Sequence, residues 1–339
     1  MKLNAEKLDL RLRHTFTIAR GSEDVSKNVL VRLRDGRFEG LGEASPKGYY
    51  GQNQAQCLRT LRSIAPFLKD VSAFDIENIM SSLERRLPHA AGARAAVDLA
   101  LHDLLGKQLD LPLWKYWGLD HSKTPQTSYT IGIDTLQKVR EKIAEAARFP
   151  VLKIKLGVKN DIEIIKEVRR LCPKKTLRVD ANCGWSVKEA IEKARVLERL
   201  GIEFIEQPVP PGQNAKLKRI QERIGLPLVT DESSIIAADI PALRGCVKGI
   251  NIKLVKCGGL REALKMIHTA RACGLKIMIG CMIESSVMIT AGAHLTPLVD
   301  WADLDGNVLI TNDPFKGVSL NRDAKLILPT RPGLGVIEK

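Results

Sequence analysis

Arg178-Val179-Asp180-Ala181-Asn182, Phe204-Ile205-Glu206-Gln207-Pro208 and Val229-Thr230-Asp231-Glu232-Ser233 are three short apolar runs that each close on an acid, at intervals of 26 and 25 residues. That interval is the length of one strand, one loop and one helix, so the runs read as successive strands of a parallel sheet with helices between them. Working outward, further strands are expected to end near Ile133 and Lys155 on one side, and near Val255, Cys281 and Leu304 on the other. Runs such as Gly201-Ile202-Glu203-Phe204-Ile205 and Gly249-Ile250-Asn251-Ile252 are too short for core helices, and Pro173, Pro208 and Pro227 punctuate the connections. Eight strands at this spacing predict an α/β fold, a (β/α)8-type barrel over residues 121–311.

Upstream the pattern changes. Residues 1 to about 45 alternate like antiparallel strands around an Asp35-Gly36 turn, and residues 53 to about 117 read as helices. The helix expected over Ala90–Lys107 places Ala95, Leu99, His102 and Leu105 on one face. Residues 1–120 are therefore expected as an N-terminal α+β capping domain. A chain of 339 residues is longer than one core usually supports, which fits two domains. The last stretch, 312–339, has loop and strand character around Pro314, Pro329 and Pro332 and is expected to return to the N-terminal domain.

Composition excludes several classes. No apolar run approaches the roughly 20 residues of a membrane helix, and Met1-Lys2-Leu3-Asn4-Ala5-Glu6-Lys7 lacks the apolar core of a secretory signal, so a cytoplasmic protein without a membrane partner is expected. The net charge of +14 is dispersed among acids, as in Lys188–Arg199, and aromatic residues are too sparse for base stacking. Nucleic acid is therefore not an expected partner. Cys57, Cys172, Cys183, Cys246, Cys257, Cys273 and Cys281 are scattered, which suits reduced thiols rather than a zinc or disulfide framework.

In a βα barrel the chemistry sits at the carboxyl ends of the strands. Any one of Asp180, Glu206 and Asp231 could cap a helix or serve a salt bridge. Three in register on adjacent strands repel one another unless a cation lies between them. All-oxygen ligation without His or Cys points to Mg²⁺. In Leu152-Lys153-Ile154-Lys155-Leu156 the two lysines share a strand face, and adjacent ammonium groups are expected to lower a lysine pKa toward that of a usable base. Strand six, Asn251-Ile252-Lys253-Leu254-Val255-Lys256-Cys257-Gly258-Gly259, offers Lys253 or Lys256; parity leaves the choice open and puts Lys256 beyond the strand or at a bulge. Strands two and six lie across the barrel from each other, so a ligand over the metal has a lysine on either side, an acid–base pair for removing and returning a proton.

The Lys-x-Lys at 153 and 155, the set Asp180, Glu206 and Asp231, and Lys256-Cys257-Gly258-Gly259 resemble, in order and spacing, the muconate-lactonizing subgroup of the enolase superfamily over nearly the whole chain. The resemblance implies Mg²⁺ on the three acids, Lys155 and Lys256 as acid/base residues, and Lys153 as electrostatic support for Lys155; Asn182, Glu232 and Lys253 would stand behind them. Asp303-Leu304-Asp305-Gly306 looks like the Asp-x-Asp with which dipeptide epimerases hold a substrate ammonium. Gly280-Cys281-Met282-Ile283-Glu284-Ser285-Ser286 and Phe16-Thr17-Ile18-Ala19-Arg20-Gly21-Ser22, the latter in an expected mobile loop, also resemble epimerase sequences.

The implied reaction is epimerisation of the C-terminal residue of an L-Ala-containing dipeptide, with L-Ala-D/L-Glu, a peptidoglycan fragment, as the leading substrate. Ile283 carries no charge to select a cationic side chain, and Arg20 can pair with a glutamyl carboxylate. An o-succinylbenzoate synthase or cycloisomerase would share the metal and lysines but not need the Asp303/Asp305 clamp. A non-catalytic ligand- or nucleic-acid-binding barrel would not need the metal and lysine set at all. The sequence leaves homo-oligomerisation open.

Overall fold

The computed structural model describes every residue from Met1 to Lys339. The chain opens with three antiparallel strands, β1 (Lys2–Ile18), β2 (Gly21–Asp35) and β3 (Phe38–Ala44), followed by helices α1 (Gln54–Ile64), α2 (Ile76–Arg86), α3 (Ala91–Gln108) and the single turn α4 (Leu113–Tyr116). Phe16–Ser22 is not an irregular loop. It forms the tip of the β1–β2 hairpin, with Thr17 paired to Ser22, and Ala19 and Arg20 making the turn. A two-residue turn lets the ladder run to its end, so Arg20 sits in a turn held between paired strands.

Helix α3 differs from its expected one-sided pattern. It is buried on nearly all sides, Arg94, Asp98, His102 and Asp103 included, because it lies between the three-stranded sheet and the barrel. On the sheet side Gly40 and Gly42 of β3 lie directly against the backbone of Ala100 and Ala96, where any side chain would collide. Its apolar residues fill both contacts, Leu99 in the larger core and Leu101 in the core of the N-terminal sheet and helices.

The barrel follows as β4 (Tyr129–Ile131), α5 (Leu136–Glu145), β5 (Val151–Lys155), α6 (Asp161–Leu171), β6 (Thr176–Asp180), α7 (Val187–Arg199), β7 (Ile202–Glu206), α8 (Asn214–Gln221), β8 (Leu228–Thr230), β9 (Gly249–Lys253), a single turn α9 (Leu254–Cys257), α10 (Leu260–Ala272), β10 (Lys276–Gly280), α11 (Ser286–His294) and β11 (Trp301–Asp303). All eight strands are parallel and in sequence order, and Ser128 N donating to Ala302 O at 3.2 Å closes the ring. After β8 two 3-10 turns, Ala237–Asp239 and Pro241–Leu243, replace the expected helix; Pro241 brings no amide hydrogen to extend one. Phe204, Val229, Met278 and Trp301 form a separate apolar cluster on β7, β8, β10 and β11.

Strand ends match the expected positions at Lys155, Asp180 and Glu206, and fall one or two residues earlier at Ile131, Thr230, Lys253, Gly280 and Asp303. In the C-terminal stretch, Gly333 O accepts from Leu113 N at 3.1 Å, and Leu334 N donates to Asp103 Oδ1 at 2.7 Å.

Candidate active site

Asp180 closes β6, Glu206 closes β7, and Asp231 follows β8 directly. All three are buried, and each offers an oxygen such that the three lie within 4.8 Å of one another. Their backbones are held in unusual shapes: Asn182, Cys183 and Gln207 have φ of 44°, 66° and 33°. Such conformations in residues other than glycine persist only where the surroundings enforce them. Here Gln207 Oε1 accepts from Asp231 N at 2.9 Å and Ser233 N at 3.2 Å, tying the ends of β7 and β8 together.

The trio is compensated by lysines. Lys153 Nζ lies 2.7 Å from Glu206 Oε2, 3.4 Å from Asp180 Oδ2 and 2.7 Å from Asp303 Oδ2. Lys155 donates to Asp180 Oδ2 at 2.7 Å. Lys253 donates to Asp231 Oδ2 at 2.9 Å, and Lys256 donates to Asp231 Oδ1 and, at 2.6 Å, to its carbonyl oxygen. Burial opposes the charge of Lys153, but Asp303, Glu206 and Asp180 outweigh it and hold the ammonium protonated well above its ordinary range. This corrects the expectation that its neighbour would push it down. Burial and the charge of Asp180 raise Glu206 to about 7, whereas for Asp231 burial is outweighed by Lys253 and Lys256 and the carboxyl falls far below its ordinary value.

The donor set fits a hard divalent cation. Three convergent buried carboxylates supply oxygen only, the buried oxygens Asn182 Oδ1 and Asn251 Oδ1 accept no hydrogen bond, and Glu206 Oε2 meets only the Lys153 ammonium. Asn251 stands behind the trio, donating to Glu206 Oε1 at 2.8 Å; a side chain at Gly280 would overlap it.

A cavity of about 280 Å³ opens beside Asp231 of the trio, lined on the barrel side also by Lys155, Lys253, Asp303 and Asp305 among others. Asp303 is bonded to Ser128 Oγ at 2.5 Å as well as to Lys153, and Asp305 Oδ2 accepts from Thr130 N at 2.6 Å. Burial raises both, but the lysines carry Asp303 down to about 2, while Asp303 itself helps burial push Asp305 up to about 6. Lys256 borders an adjoining cavity of about 200 Å³, which shares Lys47 and Tyr50 with the first. Lys155 and Lys256 thus stand on β5 and just beyond β9, with the three acid-bearing strands between them.

The N-terminal domain supplies the opposite wall. Arg20 Nη1 lies 2.7 Å from Glu232 Oε1, donates to Asn182 O at 2.9 Å, and the guanidinium lies 4.2 Å from the Tyr49 ring centre. Ile283 lines the cavity beside Met282. Glu284 is buried and raised to about 8 by burial and the nearby Glu43, and Ser285 caps α11. Ser285 Oγ also donates to Glu43 Oε2 at 2.5 Å, across the domain boundary. Ser128, Thr130, Tyr49 and Lys47 escaped the sequence reading. The first two lie just before and within β4, a strand with no charged residue to mark it, and the others follow β3 in a segment without periodicity.

Residues 5–118 match the family described as "Mandelate racemase / muconate lactonizing enzyme, N-terminal domain", and residues 135–337 that described as "Enolase C-terminal domain-like". An L-Ala-D/L-Glu epimerase from Bacteroides thetaiotaomicron is 42% identical over 100% of this chain and 88% of its own length. An L-Ala-D/L-amino acid epimerase from a Maribacter species is 40% identical over 99% of both. A crystal structure of a dipeptide epimerase from Enterococcus faecalis complexed with Mg and L-Leu-L-Tyr superposes with a TM-score of 0.94 at 33% identity, covering 99% of this chain and 98% of that one. With both halves matched and the barrel-end acids in one cluster, the chain belongs to the mandelate racemase/muconate lactonizing enzyme family of the enolase superfamily.

Proposed function

We propose that the enzyme inverts the α-carbon of the C-terminal residue of L-Ala-L-Xaa dipeptides by a two-base 1,1-proton transfer, with L-Ala-D/L-Glu as the leading pair. The observation that carries this reading is the grouping of Asp231 of the carboxylate trio, Lys155 and the Asp303/Asp305 pair around one cavity, with Lys256 across the trio from Lys155.

Asp180, Glu206 and Asp231 would hold Mg²⁺, which when bound neutralises the trio and stabilises negative charge developing on the substrate carboxylate. Asp303 and Asp305 receive the substrate's N-terminal ammonium; two carboxylates converging on one cation make strong, charge-assisted hydrogen bonds. The neutral amine of one lysine takes the α-proton as the C–H bond breaks, and the electron pair passes into the carboxylate as an enolate. The ammonium of the other lysine returns a proton to the opposite face. The carbon is inverted and the two lysines have exchanged protonation states. Lys153 keeps Asp303 and Glu206 charge-balanced, Asn182 N and Lys253 Nζ donate to Asp180 and Asp231, and Glu232 holds Arg20.

Arg20 makes all its polar contacts through Nη1, so the rest of its guanidinium can meet a glutamyl side chain. Ile283, Met282, Phe16 and Ile18 present apolar surface that suits neutral side chains, which supports a breadth beyond Glu. In this reading residues 1–120 cap the barrel of 121–311, and 312–339 bind the two together. Seven free cysteines support a reducing cytoplasm, where cell-wall-derived peptides would be the source of substrate.

The test is a panel of L-Ala-L-Xaa dipeptides incubated with enzyme and Mg²⁺ in D₂O. Deuterium should enter only at the α-carbon of Xaa, together with the L,D epimer. Absence of label across the panel, or label at the alanyl carbon, rejects the reading.

A further inference from the structure

Lys155 is placed by a regular strand, whereas Lys256 is not. It rides on α9, a single helical turn with no side-chain cap, followed by Gly258 and Gly259 at φ of 100° and 123°. A one-turn helix ahead of two glycines has little rigidity of its own. The next element, α10, begins on Gly259, which has no side chain to satisfy the first amides of the helix. Asp98 satisfies them from another domain: its Oδ2 accepts from Leu260 N at 2.5 Å and Arg261 N at 3.4 Å. A methyl group on Gly259 would overlap the Asp98 carboxylate, so α3 and the start of α10 touch at this point. One turn earlier on α3, Arg94 packs beside Gly258 and donates to Leu87 O and Pro88 O.

The other oxygen of Asp98, Oδ1, is buried without a partner. A carboxylate oxygen left so is costly, and the fold bears that cost where Asp98 closes the start of α10.

We propose that Asp98 is a positioning residue for the two-base reaction: by anchoring the first turn of α10 it holds the Lys256–Gly259 turn, and so the amine of Lys256, against the substrate face opposite Lys155. This rests on the reaction proposed above. The assignment is asymmetric, because Lys155 on β5 has no bond to α3 or α10, so removing Asp98 displaces one base and spares the other.

In D₂O the two functions separate. Inversion needs both lysines, whereas exchange of the α-proton with retained configuration, on the epimer that presents it to Lys155, needs only Lys155. In Asp98→Ala, inversion should fall about a hundredfold, the scale of an ångström-sized misplacement, with KM nearly unchanged and the retained-configuration exchange close to wild type. Asp98→Asn, which still accepts from Leu260 N, should recover most of the inversion. If Asp98→Ala does not fold, Asp98→Ser, too short to span the gap, carries the same expectation. Asp103→Asn is the matched control, since Asp103 lies on the same helix but accepts from Leu41 N and Leu334 N; it should lower the melting temperature without changing the ratio of inversion to exchange. A proportional fall of both reactions in the Asp98 variants, or no fall in either, overturns the proposal. Absence of any exchange in the wild-type enzyme instead overturns the reaction itself.

Discussion

Lys153 and Glu206 meet at 2.7 Å inside the barrel, with both side chains closed off from solvent. Two further carboxylates, Asp180 and Asp303, lie within 3.4 Å of the same ammonium. Lys153 therefore serves two sites at once, the cation trio and the ammonium clamp. Removing one partner of a buried ion pair costs roughly 3 to 5 kcal/mol because the other charge is left alone. Lys153→Met should lower the melting temperature in metal-free buffer by many degrees and abolish turnover. Millimolar Mg²⁺ should stabilise the variant more than the wild type, since only in the variant does it meet uncompensated acids. Equal Mg²⁺ shifts in the two melting curves would contradict the shared-counterion role.

Lys155 and Lys256 act on opposite faces in the proposed reaction, so neither replaces the other. Lys155→Ala and Lys256→Ala should each lose inversion by at least about 10² to 10⁴-fold, the usual worth of a positioned acid or base. Circular dichroism should report the native fold. Full inversion in either variant, followed by chiral chromatography of the product dipeptides, removes the two-base mechanism.

Arg20 reaches the cavity on a hairpin tip, paired to Glu232 on one side and to the Tyr49 ring on the other. Truncating a charge partner at a partly buried site costs about 2 kcal/mol or more. Arg20→Met should therefore lower kcat/KM for L-Ala-L-Glu about thirtyfold, while L-Ala-L-Leu changes by no more than a fewfold. Parallel losses on both substrates would show that Arg20 shapes the pocket rather than reads the side chain.

His294 controls acid stability away from the chemistry. Its Nδ1 accepts from Trp114 N at 3.3 Å and its Nε2 donates to Leu334 O at 3.1 Å, so the neutral ring is the form the fold binds. Burial lowers it from 6.5 to about 4, against a smaller opposing effect of the Leu334 bond. The unfolded chain binds this proton more readily than the folded one, so the contribution of His294 is complete above pH 6.5 and is lost as pH falls toward 4. The loss amounts to about 3 kcal/mol. His294→Gln should flatten this part of the stability–pH curve in urea titrations, at the cost of lower stability at pH 7; an unchanged slope between pH 6.5 and 4 assigns the acid lability elsewhere.

The barrel was legible because its strands are short, apolar and evenly spaced, and the trio because acids terminating such strands have no packing reason to be there. The strand ends at Lys155, Asp180 and Glu206 are therefore legible to the residue. Lys256 is not, since a side chain placed by a helical turn after its strand carries no parity signal. Arg20 was noticed in the sequence, but its partner Glu232 lies more than two hundred residues away and its hairpin tip has no alternating polarity. Lys153 was misjudged electrostatically for a similar reason: neighbours along the strand suggest a second cation, whereas neighbours across the barrel are three anions.

Helix α3, enclosed on both sides, is a wall common to two rooms. Its Gly40 and Gly42 neighbours allow no gap on the sheet side, Asp98 reaches out to the barrel, and Asp103 ties Leu41 of the sheet to Leu334 of the C-terminal stretch. Neither half retains a closed interior if the other is cut away, so calorimetry should record a single melting event and the isolated barrel should be insoluble.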